Sequence, residues 1–105
     1  MTGILDGNLK AAWLLTLTID VASVAANTTA EQDFTVNGLK TADLVFVNKP
    51  SLNAGLGVCN ARVKSANTLS LTFNNNTAAA IDPGSEAYTL LIVRPESSLA
   101  TALPA

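Results

Sequence analysis

The residues of this chain that could carry acid–base chemistry are its carboxylates. Two acids held together can divide the roles of proton donor and proton acceptor, and the candidates are Asp20, Glu31, Asp33, Asp43, Asp82 and Glu86. The chain has no histidine, and Cys59 is its single cysteine, with no base beside it in sequence. The commonest general base and an activated thiol are therefore both missing. Because acids in turns and at strand edges are ordinarily solvated, we predict that the protein is not an enzyme.

The sequence also lacks the patterns of metal, phosphate and nucleic-acid sites. One cysteine and no histidine exclude a cysteine-based metal cage. Gly55-Leu56-Gly57 is not followed by the lysine and helix start of a phosphate loop. The net charge is −2, and the six basic residues are scattered, whereas nucleic-acid affinity requires clustered positive charge. We predict no cofactor, no metal and no nucleic-acid partner.

The composition favours assembly with other protein chains. Hydrophobic residues make up 49% of the chain and charged residues only 13%, against about a quarter charged in a typical soluble domain. A chain of 105 residues forms one small domain with much of its surface exposed. An apolar surplus on such a domain indicates that a partner covers part of that surface. Self-association is the simplest arrangement.

Alternating hydrophobic residues predict short β-strands. Leu15, Leu17 and Ile19 alternate with Thr16 and Thr18, which is the period of a half-buried strand. We predict strands at about residues 14–24, 32–36, 42–47, 57–64, 68–73 and 87–94. A β-bulge is expected near Asn60 and a turn at residues 37–38. Because both faces of the last strand are apolar, we expect it either at the centre of a sheet or at an interface. The predicted fold class is all-β, a small antiparallel sandwich or barrel.

Residues 11–26 share some features with a secretion signal, because Lys10 precedes the apolar run and small residues follow it. Asp20 interrupts the run, however, and its alternation is that of a strand. We favour the strand and keep a secreted bacterial surface domain as an alternative. No stretch reaches the roughly 18 uninterrupted apolar residues of a membrane helix, so we predict no membrane partner.

The two ends of the chain are predicted to lie outside the β body. We divide the sequence into an N-terminal arm at residues 1–13, a β domain at 14–95 and a short extended C-terminal tail at 96–105. The apolar side chains of the arm are candidates for contact with a partner: Ile4, Leu5, Leu9 and Trp13. For Trp13 two interpretations stay open, a plug in the core or an anchor on the partner.

The scarce charged residues are candidates for a subunit interface. Arg62 and Arg94 lie on predicted strands, where a solvated face is the ordinary outcome. Since arginine suits ion pairs at interfaces, pairing with Asp43 or Glu86 of a second subunit is the functional alternative. These four residues are our candidate interface residues. Cys59 has no clustered cations around it in sequence, and we predict a small buried hydrophobe rather than a reactive thiol.

A series of short motifs connects residues 34–95 to a known module. In order, they are TVNGL at 35–39, DLVFV at 43–47 followed by Pro50, AGL at 54–56, ARV at 61–63, LSLTFN at 69–74, TAAAIDP at 77–83, and Tyr88 with Arg94. Their order and spacing resemble a short β module that recurs in virion proteins of tailed bacteriophages. Head decoration proteins, also called cement proteins, and head-fibre-like proteins are among them.

The resemblance implies a structural role in the virion, commonly as a homotrimer. We therefore expect a capsid decoration protein that is made in the bacterial host cytoplasm, binds the major capsid protein and stabilises the head shell at the capsid surface. A head or tail fibre or adhesin module that recognises a host surface stays open as the alternative. That alternative predicts an exposed cluster of aromatic and polar residues at one end of the β body.

Overall fold

The computed structural model describes residues 7–96 and 101–103. In this part of the chain six β-strands form and no helix: β1 (Leu9–Val21), β2 (Thr28–Thr35), β3 (Leu44–Asn48), β4 (Leu56–Ser65), β5 (Thr68–Asn75) and β6 (Gly84–Pro95). The prediction of an all-β fold is confirmed. None of the described residues belongs to a helix that could cross a membrane.

The strands form two three-stranded antiparallel sheets that pack as a sandwich. The first sheet has the order β1-β6-β3 and the second the order β2-β5-β4. β6 is central in its sheet, which is one of the two positions that its apolar faces predicted. The inward side chains of both sheets make one core, whose largest fully buried apolar members are Tyr88, Phe73, Leu69, Leu71, Leu90, Val21 and Val24. Removal of this apolar surface from water is the main force that holds the sheets together.

β1 begins earlier than the sequence predicted. We expected an arm as far as residue 13, but Leu9 and Trp13 belong to β1 and pair with Pro95 and Ile92 of β6. The error arose because the alternation breaks at residues 11–12, where small alanines fit either face of a sheet. The long β6 supplies ladder partners there regardless of side-chain pattern. Of the other predicted arm residues, Ile4 and Leu5 lie outside the described residues.

The segment weighed as a secretion signal contributes to the sandwich. Most of residues 11–26 lie in β1, and Ile19 and Val21 are buried in the core. This agrees with the strand interpretation. At the other end of the chain, Glu96 and residues 101–103 of the predicted tail lie outside any strand, and the rest of the tail is outside the described residues.

The predicted β-bulge is present in β4, one residue earlier than expected. Val58 pairs with Phe73 and Asn60 pairs with Thr72, so Cys59 is the extra residue. The prediction that Cys59 is buried was wrong, because it follows the inward-facing Val58 and lies at the bulge on the exposed side of β4. Its Sγ lies 3.5 Å from the carbonyl oxygen of Thr72.

The predicted turn at residues 37–38 carries the chain from one sheet to the other. Gly38 has a φ of 92°, a conformation that glycine adopts without strain, and the N–H of Leu39 donates to the carbonyl of Val36 at 3.2 Å. The side chain of Asn67, in the turn between β4 and β5, accepts a hydrogen bond from the N–H of Gly38 at 2.7 Å. Residues 36–43, which connect β2 of the second sheet to β3 of the first, form the crossing segment. These hydrogen bonds fix its first half to the second sheet.

Candidate assembly surface

The outer face of the first sheet carries two rows of apolar side chains. Side chains alternate along a strand, so the neighbours of the core residues point outward. The strand register aligns these outward residues across β1, β6 and β3, as Ala12, Val93 and Leu44 in one row and Leu14, Leu91 and Phe46 in the next. We call these six residues the apolar face. The following row is polar, with Thr16, Thr89 and Asn48.

The large side chains of the apolar face are open to solvent. Leu14 is 74% exposed, Phe46 56%, Leu44 49% and Leu91 37%. At about 200 Å² for a free side chain of this size, they present on the order of 400 Å² of apolar area. Single exposed hydrophobic residues are ordinary, whereas a contiguous patch of this size equals the largest patch of a typical monomer, and such patches are often functional.

The outer face of the second sheet has the opposite character. Arg62 of β4 donates hydrogen bonds of 2.7 and 2.8 Å to the two carboxylate oxygens of Glu31 on β2. Asp33 accepts from Lys64 at 3.2 Å and from the buried Ser70 hydroxyl at 2.6 Å. These contacts form a polar ladder across the sheet. One outer face is therefore suited to water and the other is not.

The ion pairs of this ladder favour the ionised carboxylates. The hydrogen bond from Arg62 holds the pKa of Glu31 below its usual value. The hydrogen bonds from Ser70 and Lys64 do the same for the pKa of Asp33. The second sheet thus keeps a charged outer surface at neutral pH.

The four candidate interface residues have ion-pair partners in their own chain. Arg94 donates to both carboxylate oxygens of Asp43, at 2.8 and 2.7 Å, while Arg62 pairs with Glu31 as described above. Glu86 accepts hydrogen bonds from Lys49 at 2.8 Å and from the hydroxyl of Ser51. The structure therefore brings Asp43 and Arg94 together and pairs Arg62 and Glu86 elsewhere. Their placement at a subunit interface stays a prediction.

The pair of Asp43 and Arg94 fastens the crossing segment to β6. Asp43 is only 5% exposed and also accepts the backbone N–H of Lys40 at 2.9 Å. Arg94 donates further to the carbonyl oxygen of Gly38 at 3.0 Å. Its guanidinium carbon lies 4.8 Å from the ring centroid of Trp13, within the range of a cation–π interaction.

Trp13 is not a core plug. Its side chain is on the inward side of β1, but the residue is 41% exposed because it lies beyond the well-covered part of the core. Together with Arg94 and the turn at residues 37–38 it lines a hollow of about 330 Å³. The other interpretation of Trp13, an anchor on a partner, stays a prediction.

The carboxyl of Asp43 makes the free energy of unfolding depend on pH in the acid range. Hydrogen bonds from Arg94 hold its pKa below the usual value, while burial opposes the shift. A carboxyl with a lowered folded-state pKa stabilises the protein above its unfolded pKa of about 4, and this contribution is lost as pH falls through the folded pKa. We expect Asp43→Asn to lower the free energy of unfolding at neutral pH by about 1–2 kcal/mol. Its stability should also decline less on acidification.

Urea titrations at a series of acid pH values measure both effects. Asp20→Asn is the matched control, because Asp20 is an exposed strand residue on the outer side of β1. Equal acid dependence in the Asp43 variant and the wild type would contradict the assignment.

Neither a metal cluster nor a known relative defines the site. Residues 7–96 and 101–103 contain no group of three or more histidine, cysteine, aspartate or glutamate side chains that could hold a metal ion. No protein-family model, curated protein or solved structure matches the chain significantly. The resemblance of residues 34–95 to a phage virion module therefore stays a prediction from the sequence motifs.

The sequence-based selection of site residues included none of the six residues of the apolar face. Leu44, Phe46 and Leu91 were assigned to strands without being recognised as exposed. Two signals were present: Leu44 and Phe46 share one side of a strand, and Leu91 lies on the second apolar side of β6. Only the order of strands in the first sheet shows that these sides form one continuous surface.

Proposed function

We propose that this protein is a capsid decoration protein of a tailed bacteriophage, which binds the major capsid protein as a homotrimer and stabilises the head shell. The observation that carries the proposal is the apolar face, exposed on a sandwich whose other outer face is a polar ladder. A domain with this asymmetry suits a role that is fulfilled by covering the face with protein. The motifs of residues 34–95 supply the phage context.

The stabilising mechanism is burial of apolar surface at many sites on one shell. Each contact contributes about 25 cal/mol per Å² of apolar area before the costs of association. Copies that bridge neighbouring capsomers act together, so individually weak contacts add through avidity. Rupture of the shell by the pressure of packaged DNA must then break several such contacts at once.

The N-terminal region is the proposed contact with the capsid. Leu9 and Trp13 are both exposed large apolar residues at the start of β1. Ile4 and Leu5 precede them in sequence and extend the apolar character of this region. These four side chains would dock into the shell while the sandwich projects outward.

A fibre or adhesin module is the second candidate function. The hollow beside Trp13 combines an aromatic ring with the polar groups of Asn37, Asp43 and Arg94. A combination of this kind at one end of the β body is what recognition of a host glycan or protein requires. The two candidates place the protein on different parts of the particle.

Localisation in the intact virion tests the proposal. We expect gold-labelled antibodies against the protein to decorate the head, because the proposed partner is the major capsid protein. Particles that lack the protein should release DNA at a lower temperature, and addition of the purified chain should restore the wild-type temperature. Label confined to the tail or to fibres would favour the second candidate, and particles without label would contradict both.

A truncation tests the proposed contact between the N-terminal region and the capsid. Removal of residues 1–6 leaves β1 whole, since that strand begins at Leu9. The truncated chain should keep its fold and oligomeric state and fail to restore the particles. Full restoration by the truncated chain would contradict the role of the N-terminal region.

A further inference from the structure

We propose that the apolar face is the surface through which copies of this chain bind one another, and that its occupant is a second copy of the chain. The inference rests on the assembly role in the proposed function but not on the homotrimer, because two identical faces that meet face to face are related by a twofold axis and close as a dimer. It leaves the N-terminal region free for the capsid. It also replaces the charged residues first considered for the subunit interface with apolar ones.

The chemistry of the face fits an identical partner. The six residues carry no charge, and the row beside them consists of neutral polar side chains. Two such faces can meet without like-charge repulsion and without leaving a charge buried and unpaired. The polar ladder on the other sheet has its charges already paired within the chain. A carbohydrate or nucleic acid would need hydrogen-bond donors that the apolar face does not offer.

The size of the face meets the requirement of a specific interface. Four large side chains of one copy expose on the order of 400 Å², so two copies would remove about 800 Å² of apolar area from water. Contributions from Ala12, Val93 and the polar row raise the buried total to about 1,000 Å², the lower bound for a specific interface, whereas stable interfaces bury roughly 1,200–2,000 Å². A contact that covered only the edge of this face would bury less area than a specific interface requires.

The arrangement of the side chains allows close packing between sheets. Leu91 on the central strand is flanked in its row by Leu14 on β1 and Phe46 on β3. The adjacent row has small Ala12 at one margin, opposite Leu44. Large and small side chains in neighbouring positions can interdigitate at the spacing of about 10 Å at which sheets stack.

Sedimentation of the purified full-length chain at micromolar concentration tests the inference. We expect an oligomer, and we expect the double variant Leu14→Asp/Phe46→Asp to weaken association at least 100-fold and to sediment as a monomer. Thr29→Asp/Thr35→Asp is the matched control, because it adds the same two charges at exposed strand positions of the second sheet. The control should sediment like the wild type.

A second measurement keeps the test decisive if the double variant does not fold. In a Cys59→Ser background, the variant Leu91→Cys should be cross-linked between copies by a short bismaleimide, whereas Thr35→Cys should not. Circular dichroism and the fluorescence of the single tryptophan establish that each variant is folded.

The outcomes separate this inference from the proposed function. A monomeric wild type, or an oligomer that the folded double variant preserves, would overturn the inference and leave the virion labelling to judge the decoration role. A dimer that dissociates in the double variant would support the apolar face as the interface and contradict the homotrimer.

Discussion

Replacement of Asn75 by alanine is expected to lower the free energy of unfolding by about 3–4 kcal/mol, because its side chain is buried and makes four hydrogen bonds. Its Nδ2 donates to the carbonyl oxygens of Val24 at 3.0 Å and Ala79 at 2.9 Å. Its Oδ1 accepts from the N–H of Thr77 at 2.9 Å and from the Thr77 hydroxyl at 2.7 Å. Alanine removes all four hydrogen bonds at a site with no exposed surface.

The loss would extend beyond one turn, because Asn75 joins segments that are distant in sequence. Val24 follows β1, and its N–H and carbonyl also pair with the backbone of Ile81, at 2.8 and 3.0 Å. Asn75 is the last residue of β5, and Ala79 lies between β5 and β6. The amide therefore ties the end of one sheet to the connection that leads back into the other. Stability of a small domain is only about 5–15 kcal/mol in total.

The neighbouring asparagines are natural controls for this prediction. Asn74 and Asn76 flank Asn75 and are exposed, so their alanine variants should each change stability by about 0.5 kcal/mol or less. Urea unfolding followed by circular dichroism measures all three. Asn75→Asp, which retains the acceptor Oδ1 and replaces the donor Nδ2 by a second oxygen, should also be clearly destabilised at neutral pH. If Asn75→Ala unfolds like Asn76→Ala, the side chain does not have the structural role assigned to it.

The burial of Asn75 could have been predicted from strand periodicity, although the composition around it is that of a turn. The run Asn74-Asn75-Asn76 has the composition of a turn, and we placed it outside the strand. Yet Leu69, Leu71 and Phe73 point inward, and the same period of two places Asn75 on the inward side. Extension of the pattern by two residues would have identified a buried asparagine that needs four partners. The identity of those partners could not be predicted, since they come from distant connections.

The same period of two accounts for the inward orientation of the Arg94 side chain. We interpreted it as a solvated or inter-subunit charge, although it continues the inward series of Tyr88, Leu90 and Ile92 on β6. Asp43 likewise shares the side of Val45, which is buried in β3. The two inward charges were therefore visible in the sequence, but their contact depends on the pairing of β3 with β6, which is a property of the sheet order.

The fold class could be predicted from the sequence because it depends on the local alternation of hydrophobic residues. The apolar face could not be predicted, because it depends on which strands are neighbours. Both outer faces are built from alternating strands, and only the register across β1, β6 and β3 collects the exposed hydrophobic residues on one of them. The bulge at Cys59 shows the converse case, because a single inserted residue reverses which side chains point inward and changes the burial expected from the pattern.

Alkaline pH is expected to destabilise the protein through Tyr88. The residue is fully buried on the inward side of β6, and among the described residues its hydroxyl has no hydrogen-bond partner. Burial, with a smaller effect from the charge of Glu86, raises the pKa of the phenol to about 12 from its usual value of 10.0. The folded state thus favours the protonated phenol, and the unfolded state releases the proton at lower pH.

The sign of the effect follows from this difference. A group with a raised folded-state pKa contributes its full stability below the unfolded pKa, near 10, and loses that contribution as pH rises toward the folded value. One pKa unit corresponds to about 1.4 kcal/mol, so we expect the free energy of unfolding to fall by roughly 2–3 kcal/mol between about pH 10 and 12. Such a loss is large for a domain of this size.

The chain contains one tyrosine, so ultraviolet absorbance of the phenolate follows this group alone. The folded protein should show little phenolate until close to pH 12, while the urea-unfolded chain should titrate near pH 10. Tyr88→Phe controls for effects of alkaline pH that do not involve the phenol. It should remove the tyrosine-dependent part of the alkaline decline. At neutral pH it should cost about 1 kcal/mol or less, because the lost hydroxyl has no partner among the described residues. A folded wild type that titrates near pH 10 would show instead that the hydroxyl reaches water and that the core around β6 is open.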